Sequence, residues 1–180
     1  MSIQLVRVTA PLSVYFDKSC IPAATLEAAA IRGTNAHAGC AAYARRIPVI
    51  ISDEARPYFM SYKQWFDTYV SEVLFVEAEF TDPLVWFLIG HVDLICRLRD
   101  RRVVVVDLKT PQACKASHWG QVAAYRYLAD TVIKTDDGFP LILDKDGGPA
   151  KVPERKESWD FYWASYLGAL QGYRAFAEAA

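Results

Sequence analysis

The stretch GHVDLICRLRDRRVVVVDLKT, Gly90 to Thr110, decides the fold. It reads as the body of two apolar strands, Val85–Leu98 and Val103–Thr110, joined by the polar turn Arg99-Asp100-Arg101-Arg102 as an antiparallel hairpin. Side chains alternate between the faces of a strand. Val92, Leu94, Cys96 and Leu98 are therefore expected on one face, and His91, Asp93, Ile95 and Arg97 on the other. On the partner strand Val103, Val105, Asp107 and Lys109 share a face, opposite to Val104, Val106 and Leu108. A turn centred on Asp100 sets Asp93 directly across from Asp107. A slip of one residue would put them on opposite faces. Like charges across a ladder destabilise a sheet, so such a pair requires a cation. Lys109, two residues beyond Asp107, is one candidate. A divalent ion is a better one, because hard cations take carboxylate oxygens as ligands. Glu77, on the preceding strand, offers a third oxygen, and Glu79, of the same parity, competes for that role. The bland alternative is a solvated edge with an Asp–Lys salt bridge. Asp93, Asp107 and Lys109 together, beside four consecutive valines, favour a site.

Working outward, Met1–Phe16 alternates weakly, as a strand or an extended arm. Ala23 to about Arg45 carries a small or apolar stripe, Leu26, Ala30, Gly33, His37 and Ala41, at the helical period. A second helix starts near Asp53, with acidic residues in its first turn, and runs to Val73. A strand over Val73–Phe80 precedes the hairpin. Ala113–Thr131 reads as a helix. Thr131–Val152 looks like strands around Asp-Gly and Gly-Gly turns, and Glu157–Ala180 is an aromatic-rich helix. The order α-α-β-β-β-α-β-α predicts an α/β fold: one domain over residues 1–180, with a central mixed sheet flanked by helices.

Composition sets the bounds. The chain has 180 residues, 53% of them hydrophobic and 23% charged, enough to bury a core rather than stay disordered. A formal net charge of -1 excludes a uniformly basic nucleic-acid coat but not a local basic patch. No apolar run reaches membrane-spanning length and no secretory pattern opens the chain, so no membrane partner and a cytoplasmic location are expected. Cys20, Cys40, Cys96 and Cys114 form no C-x-x-C pair and no zinc spacing, and read as free thiols.

The hairpin with Asp93 and Asp107-Leu108-Lys109 resembles the core of the PD-(D/E)XK nucleases. The resemblance extends along the chain. RGTNAH (Arg32–His37) resembles the helical G-x-x-x-H signature of the RecB-like and phage exonuclease branch. VEAEF resembles the acidic strand before the core, GHVDLI the G-x-x-D strand, and QVAAY (Gln121–Tyr125) the Q-x-x-x-Y helix. Each motif is weak alone; five in order are fairly specific. The proline of "PD" is replaced by Val92, and the acid of the triplet is Asp107 rather than the commoner Glu. Neither change removes a charge. Some relatives hold an iron–sulfur cluster through one early and three late cysteines. No cysteine follows Cys114, so no such cluster is expected.

The resemblance implies a restriction-endonuclease-like core and a metal-dependent nuclease acting on DNA, with an exonuclease of recombination, repair or phage DNA processing as its expected form. A bacterial or phage-encoded protein in the host cytoplasm would follow, with a homo-oligomer or a recombination protein as possible partners. It implies that Asp93 and Asp107 bind Mg²⁺ or Mn²⁺, with the Leu108 carbonyl and His37 as further ligands. Glu77 completes or orients the metal shell, and Lys109 serves the attacking water and the phosphate. Gln121 and Tyr125, four apart on one helix face with His118 on the same stripe, either line the site, touching DNA or Lys109, or are core and polar rim. His37 alone reads as a core histidine; with the resemblance it becomes a site residue. The stripe Trp159, Tyr162, Trp163, Tyr166, Leu170 and Tyr173 reads as core rather than a base-stacking platform. Arg45–Arg46 and Arg97–Arg102 are phosphate contacts or solvated charges. The rival class is a non-catalytic nucleic-acid-binding or assembly module on the same fold.

Overall fold

The computed structural model describes residues 4–15, 21–111 and 113–177. Its elements are β1 (Val6–Arg7), a 3-10 turn (Pro11–Tyr15), α1 (Ala23–Ala44), α2 (Arg56–Tyr69), β2 (Val70–Asp82), β3 (Leu88–Leu98), β4 (Val103–Lys109), α3 (Ala116–Ala129), β5 (Asp137–Ile142) and α4 (Trp159–Ala177). The result is a single-domain α/β fold with a mixed central sheet flanked by helices.

β3 is the hub. β2 runs antiparallel to it along one edge, from Val70↔Leu98 to Asp82↔Leu88. The other edge is shared. β4 takes Leu94–Arg97 in antiparallel register, Leu94↔Val106 to Arg97↔Val103. β1 takes Leu88–Ile89 in parallel register. Between them, Gly90–Asp93 carry no ladder partner on that edge among the described residues. β5 extends the sheet parallel to β4, from Val104↔Asp137 to Lys109↔Ile142.

One core layer joins α1 and α2 to the sheet through Ala36, Cys40, Tyr58, Tyr62, Trp65, Leu94, Cys96, Val104 and Val106. The other joins α3, α4 and the 3-10 turn through Leu12, Val92, Ile95, Val103, Val105, Tyr125, Leu128, Tyr166 and Leu170. Burying side chains of this size contributes roughly 1.5–3 kcal/mol each. Of the aromatic residues of α4, Tyr162 and Tyr166 are buried while Phe161 and Phe176 are exposed; Tyr162 stacks on Trp119 and Trp163 on Tyr127. Gly90 is required by packing, because a Cβ there would lie 2.8 Å from Leu128 Cδ1 and 3.0 Å from the Tyr125 ring.

Several expectations need correction. The second helix begins at Arg56, not Asp53, with Pro57 in its first turn and Asp53 paired to Arg56 outside it. It stops at Tyr69, since Val70–Val73 pair with β3 instead. Asp137-Gly138 is no hairpin turn. It opens β5, where a Cβ on residue 138 would sit 2.8 Å from Val122 Cγ1 and 3.1 Å from the Val105 carbonyl. The buried positions of α1 are Ala36, Gly39, Cys40, Ala41 and Ala44, so of the expected stripe Ala30 is exposed and only Ala41 is fully buried.

Strict alternation on β3 also fails. Val92 packs in the α3/α4 layer, while Leu94, Cys96 and Leu98 pack in the α1/α2 layer. The phase slips at Asp93. On β2, Val76 and Ala78 divide between the layers in the same way, and the slip falls on Glu77, whose φ is 47°. Val76↔Leu94 and Ala78↔Val92 keep one register across it, so Glu77 and Asp93 face each other where both strands change phase.

The arginines of the hairpin turn are largely engaged at the surface. Arg97 pairs with Glu72, Arg99 donates to the Thr68 and Asp67 carbonyls, and Arg102 binds Asp100 and Asp137. Cys40 and Cys96 are buried free thiols and Cys114 is a half-buried one; Cys20 lies outside the described residues. No helix among the described residues is long and apolar enough to cross a membrane.

Candidate active site

The site lies where β3 and β4 part, at the end of the hairpin away from its turn. Asp93 anchors one half. Its Oδ2 accepts the Leu108 N–H at 2.6 Å, taking a backbone donor where the β3–β4 ladder has already ended at Leu94↔Val106. Its Oδ1 lies 3.3 Å from His37 Nδ1. Burial alone would raise the Asp93 pKa, but His37, Lys109 and the Leu108 N–H hold it below its ordinary value. For His37, burial opposes the charge and Asp93 more than offsets it, so its pKa is raised. Burial and the neighbouring Asp93 push Glu77 upward, against His37 and Arg45.

Ligand atoms of His37, Glu77 and Asp93 all lie within 4.8 Å of one another. Glu77, whose backbone is left-handed with φ at 47°, contributes its carboxylate to this group. Glu79 stands elsewhere, 3.5 Å from His91. A cavity of about 590 Å³ opens beside the cluster, lined by Gly33, Thr34, His37, Ala38, Ala41, Arg45, Ile47 and Glu77 among others.

The other half is built on β4 and α3. Asp107 is 2% exposed, and burial pushes its pKa up to about 6 against the pull of Lys109. Its Oδ1 accepts from Gln121 Nε2 at 3.1 Å. Its Oδ2 lies 2.7 Å from Lys109 Nζ, close as an ion pair but out of hydrogen-bond alignment, so this buried oxygen has no hydrogen-bond donor. Lys109 Nζ donates to Gln121 Oε1 at 3.0 Å, and Gln121 Nε2 also donates to the Tyr125 hydroxyl at 3.0 Å. Tyr125 is buried. His118 accepts the Lys115 N–H on Nδ1; burial, then Lys109 and Lys115, lower its pKa to about 4, so it is neutral near pH 7.

The residues singled out from the sequence thus fall into two adjoining groups. His37, Glu77 and Asp93 form one, and Asp107, Lys109, Gln121 and Tyr125 the other. Leu108 joins them through its backbone N–H, with its side chain in the core. Asp107 lies outside the three-ligand cluster, although the charges of Asp93 and His37 act on it. Arg45, whose role the sequence left open, lines the cavity and donates to the Val76 carbonyl at 2.7 Å. The run His37, Ala38, Ala41, Ala42, Arg45 at helical spacing was a signal that could have found it.

The PD-(D/E)XK nuclease superfamily profile matches residues 21–158, a span holding both groups. The chain belongs to this superfamily. No curated protein matches the chain. The fold is therefore a metal-dependent nuclease fold, and PD-(D/E)XK nucleases use divalent metal ions. The residues present suit such an ion. One imidazole and two carboxylates converge within ligand distance of one another.

Proposed function

We propose that the chain is a deoxyribonuclease of the RecB-like and phage exonuclease branch, cutting DNA phosphodiester bonds with Mg²⁺ or Mn²⁺. The observation that carries this reading is the convergence of His37, Glu77 and Asp93 beside a buried Asp107–Lys109 pair. A binding module does not require an ammonium and carboxylates packed this closely. His37, Glu77 and Asp93 would hold the ion, with Asp107 Oδ2 and the Leu108 carbonyl as further oxygens. When bound, the ion supplies charge neutralisation at the phosphate and an acidified water.

The chain's own residues do the rest. Asp107 and Gln121 fix the Lys109 ammonium in one position, where it steadies the charge that develops on phosphorus-bound oxygens. Gln121 orients both partners, and Tyr125 orients Gln121, so these two serve the substrate through Lys109. His37 contributes from α1, which makes the helix one wall of the cleft.

Exonuclease action in recombination, repair or phage DNA processing, in the cytoplasm and with a homo-oligomer or recombination partner, is supported by the G-x-x-x-H and Q-x-x-x-Y motifs. The test uses end-labelled linear DNA and covalently closed circular DNA, single- and double-stranded, with Mg²⁺, Mn²⁺ or EDTA. Loss of linear DNA from its ends, with circles intact and EDTA abolishing activity, is the expected result. Binding without cleavage under every condition would sink the enzyme reading in favour of a binding module. Nicking of circles would overturn the exonuclease part alone.

A further inference from the structure

Arg45 is the C-cap of α1. From there its Nη2 reaches across to β2 and donates to the Val76 carbonyl at 2.7 Å. The next residue, Glu77, holds φ at 47°. A left-handed backbone at a residue with a Cβ is strained and persists only where its surroundings over-determine it. Val76↔Leu94 and Ala78↔Val92 hold the strand on either side, and the Arg45 guanidinium grips the carbonyl that leads into the turn. The result of the turn is chemical, because it brings the Glu77 carboxylate to His37 and Asp93. Without it, strand alternation would set Val76 and Ala78 on one face and residue 77 on the other. Arg45 also lines the same cavity as Glu77 and His37.

We propose that Arg45 is the positioning residue for Glu77: its bond to the Val76 carbonyl holds the left-handed turn that delivers the third ligand of the metal cluster. The inference rests on the metal-dependent reading above. It assigns Arg45 an effect on metal affinity that a simple helix-to-strand tie would not have.

The experiment is a double-mutant cycle on the purified full chain, with Arg45→Gln, Arg45→Lys, Glu77→Gln and the combinations. Mn²⁺ affinity is measured by calorimetry without DNA, and thermal melts are taken in EDTA. Arg45→Gln should weaken Mn²⁺ binding about tenfold, as expected for a residue acting on a ligand from behind. Arg45→Lys, which keeps the charge and one donor, should recover part of that loss. In the Glu77→Gln background either Arg45 change should add little. Wild-type Mn²⁺ affinity in Arg45→Gln overturns the proposal, as does an equal loss with and without Glu77. Should Arg45→Gln fail to fold, the Arg45→Lys cycle carries the same comparison. A wild-type chain that binds no Mn²⁺ overturns the metal reading itself, and this inference with it.

Discussion

Asp93 and Asp107 are the same residue type on facing strands of one hairpin, and the fold treats them in opposite ways. Asp93 receives a backbone N–H and a histidine, so its negative charge is stabilised and its pKa is held down. Asp107 is more deeply buried, its side chain 3% exposed against 13% for Asp93, and although Lys109 pairs with it at 2.7 Å its pKa rises to about 6. The difference lies in depth of burial and in the neighbouring charges, since Asp93 itself pushes Asp107 upward, and it separates a carboxylate that helps hold the fold from one whose charge strains it.

The largest effect should come from breaking the stabilised member. Asp93→Asn removes a proposed metal ligand and places an amide against the Leu108 N–H. Cleavage should vanish, and the EDTA melt should show a loss of about 1–3 kcal/mol, the cost of an unsatisfied buried polar group. A variant as stable as wild type would erase the contrast.

Asp107→Asn should also abolish cleavage, yet its metal-free form should melt at or above wild type, a rise of about 2–4 °C for each kcal/mol of strain released. The pH dependence sharpens this. Because the folded pKa of Asp107 is above the ordinary carboxyl value, its contribution to stability is present below about pH 4 and is lost as pH rises to about 6. Asp93, held low, contributes in the reverse sense, losing its share as pH falls. Metal-free melts of Asp107→Asn across pH 4–7 should therefore lack a destabilisation that wild type shows with rising pH.

Lys109→Ala should reduce kcat by about a hundredfold or more while DNA binding, read by anisotropy in Ca²⁺ or EDTA, changes little. Wild-type turnover would remove the ammonium from the reaction. A smaller effect is expected at His37. His37→Ala should raise the Mn²⁺ concentration for half-maximal activity about tenfold; a loss of melting temperature with no change in that requirement would make it a core histidine. Smallest of all, Glu79→Gln should leave metal affinity and cleavage within about twofold of wild type, since Glu79 faces His91 away from the cluster.

Much of this arrangement is legible in the sequence. The apolar runs flanking Arg-Asp-Arg-Arg specify a hairpin, and the observed Leu94↔Val106 register matches a turn centred on Asp100. Helix α1 was legible from its alanine-rich run. What stayed hidden depends on contacts distant in sequence. The phase slip at Glu77 and Asp93 arises from two strands bending together, and no local pattern around Glu77 announces a left-handed residue. Hence Glu77 and Glu79 were equivalent on parity alone. Val70–Val73 suit a helix end or a strand, and pairing with β3 decides between them. Asp137-Gly138 carries a turn signature, but the glycine is there to let α3 pass close to the sheet.

The divided edge of β3 has a consequence for how the molecule assembles. β2, β3 and β4 are consecutive, so their pairings form between neighbours along the chain. β1 pairs with Leu88–Ile89 from Val6–Arg7, across most of the first half of the chain, and its loop-closure cost is correspondingly higher. The three-strand meander that carries Glu77, Asp93 and Asp107 is thus expected to form early, with the acids already crowded. Docking of β1 comes late and closes the far side of the Gly90–Asp93 gap, so the kinetics of refolding should register the cleft as one of the last parts of the molecule to take its final shape.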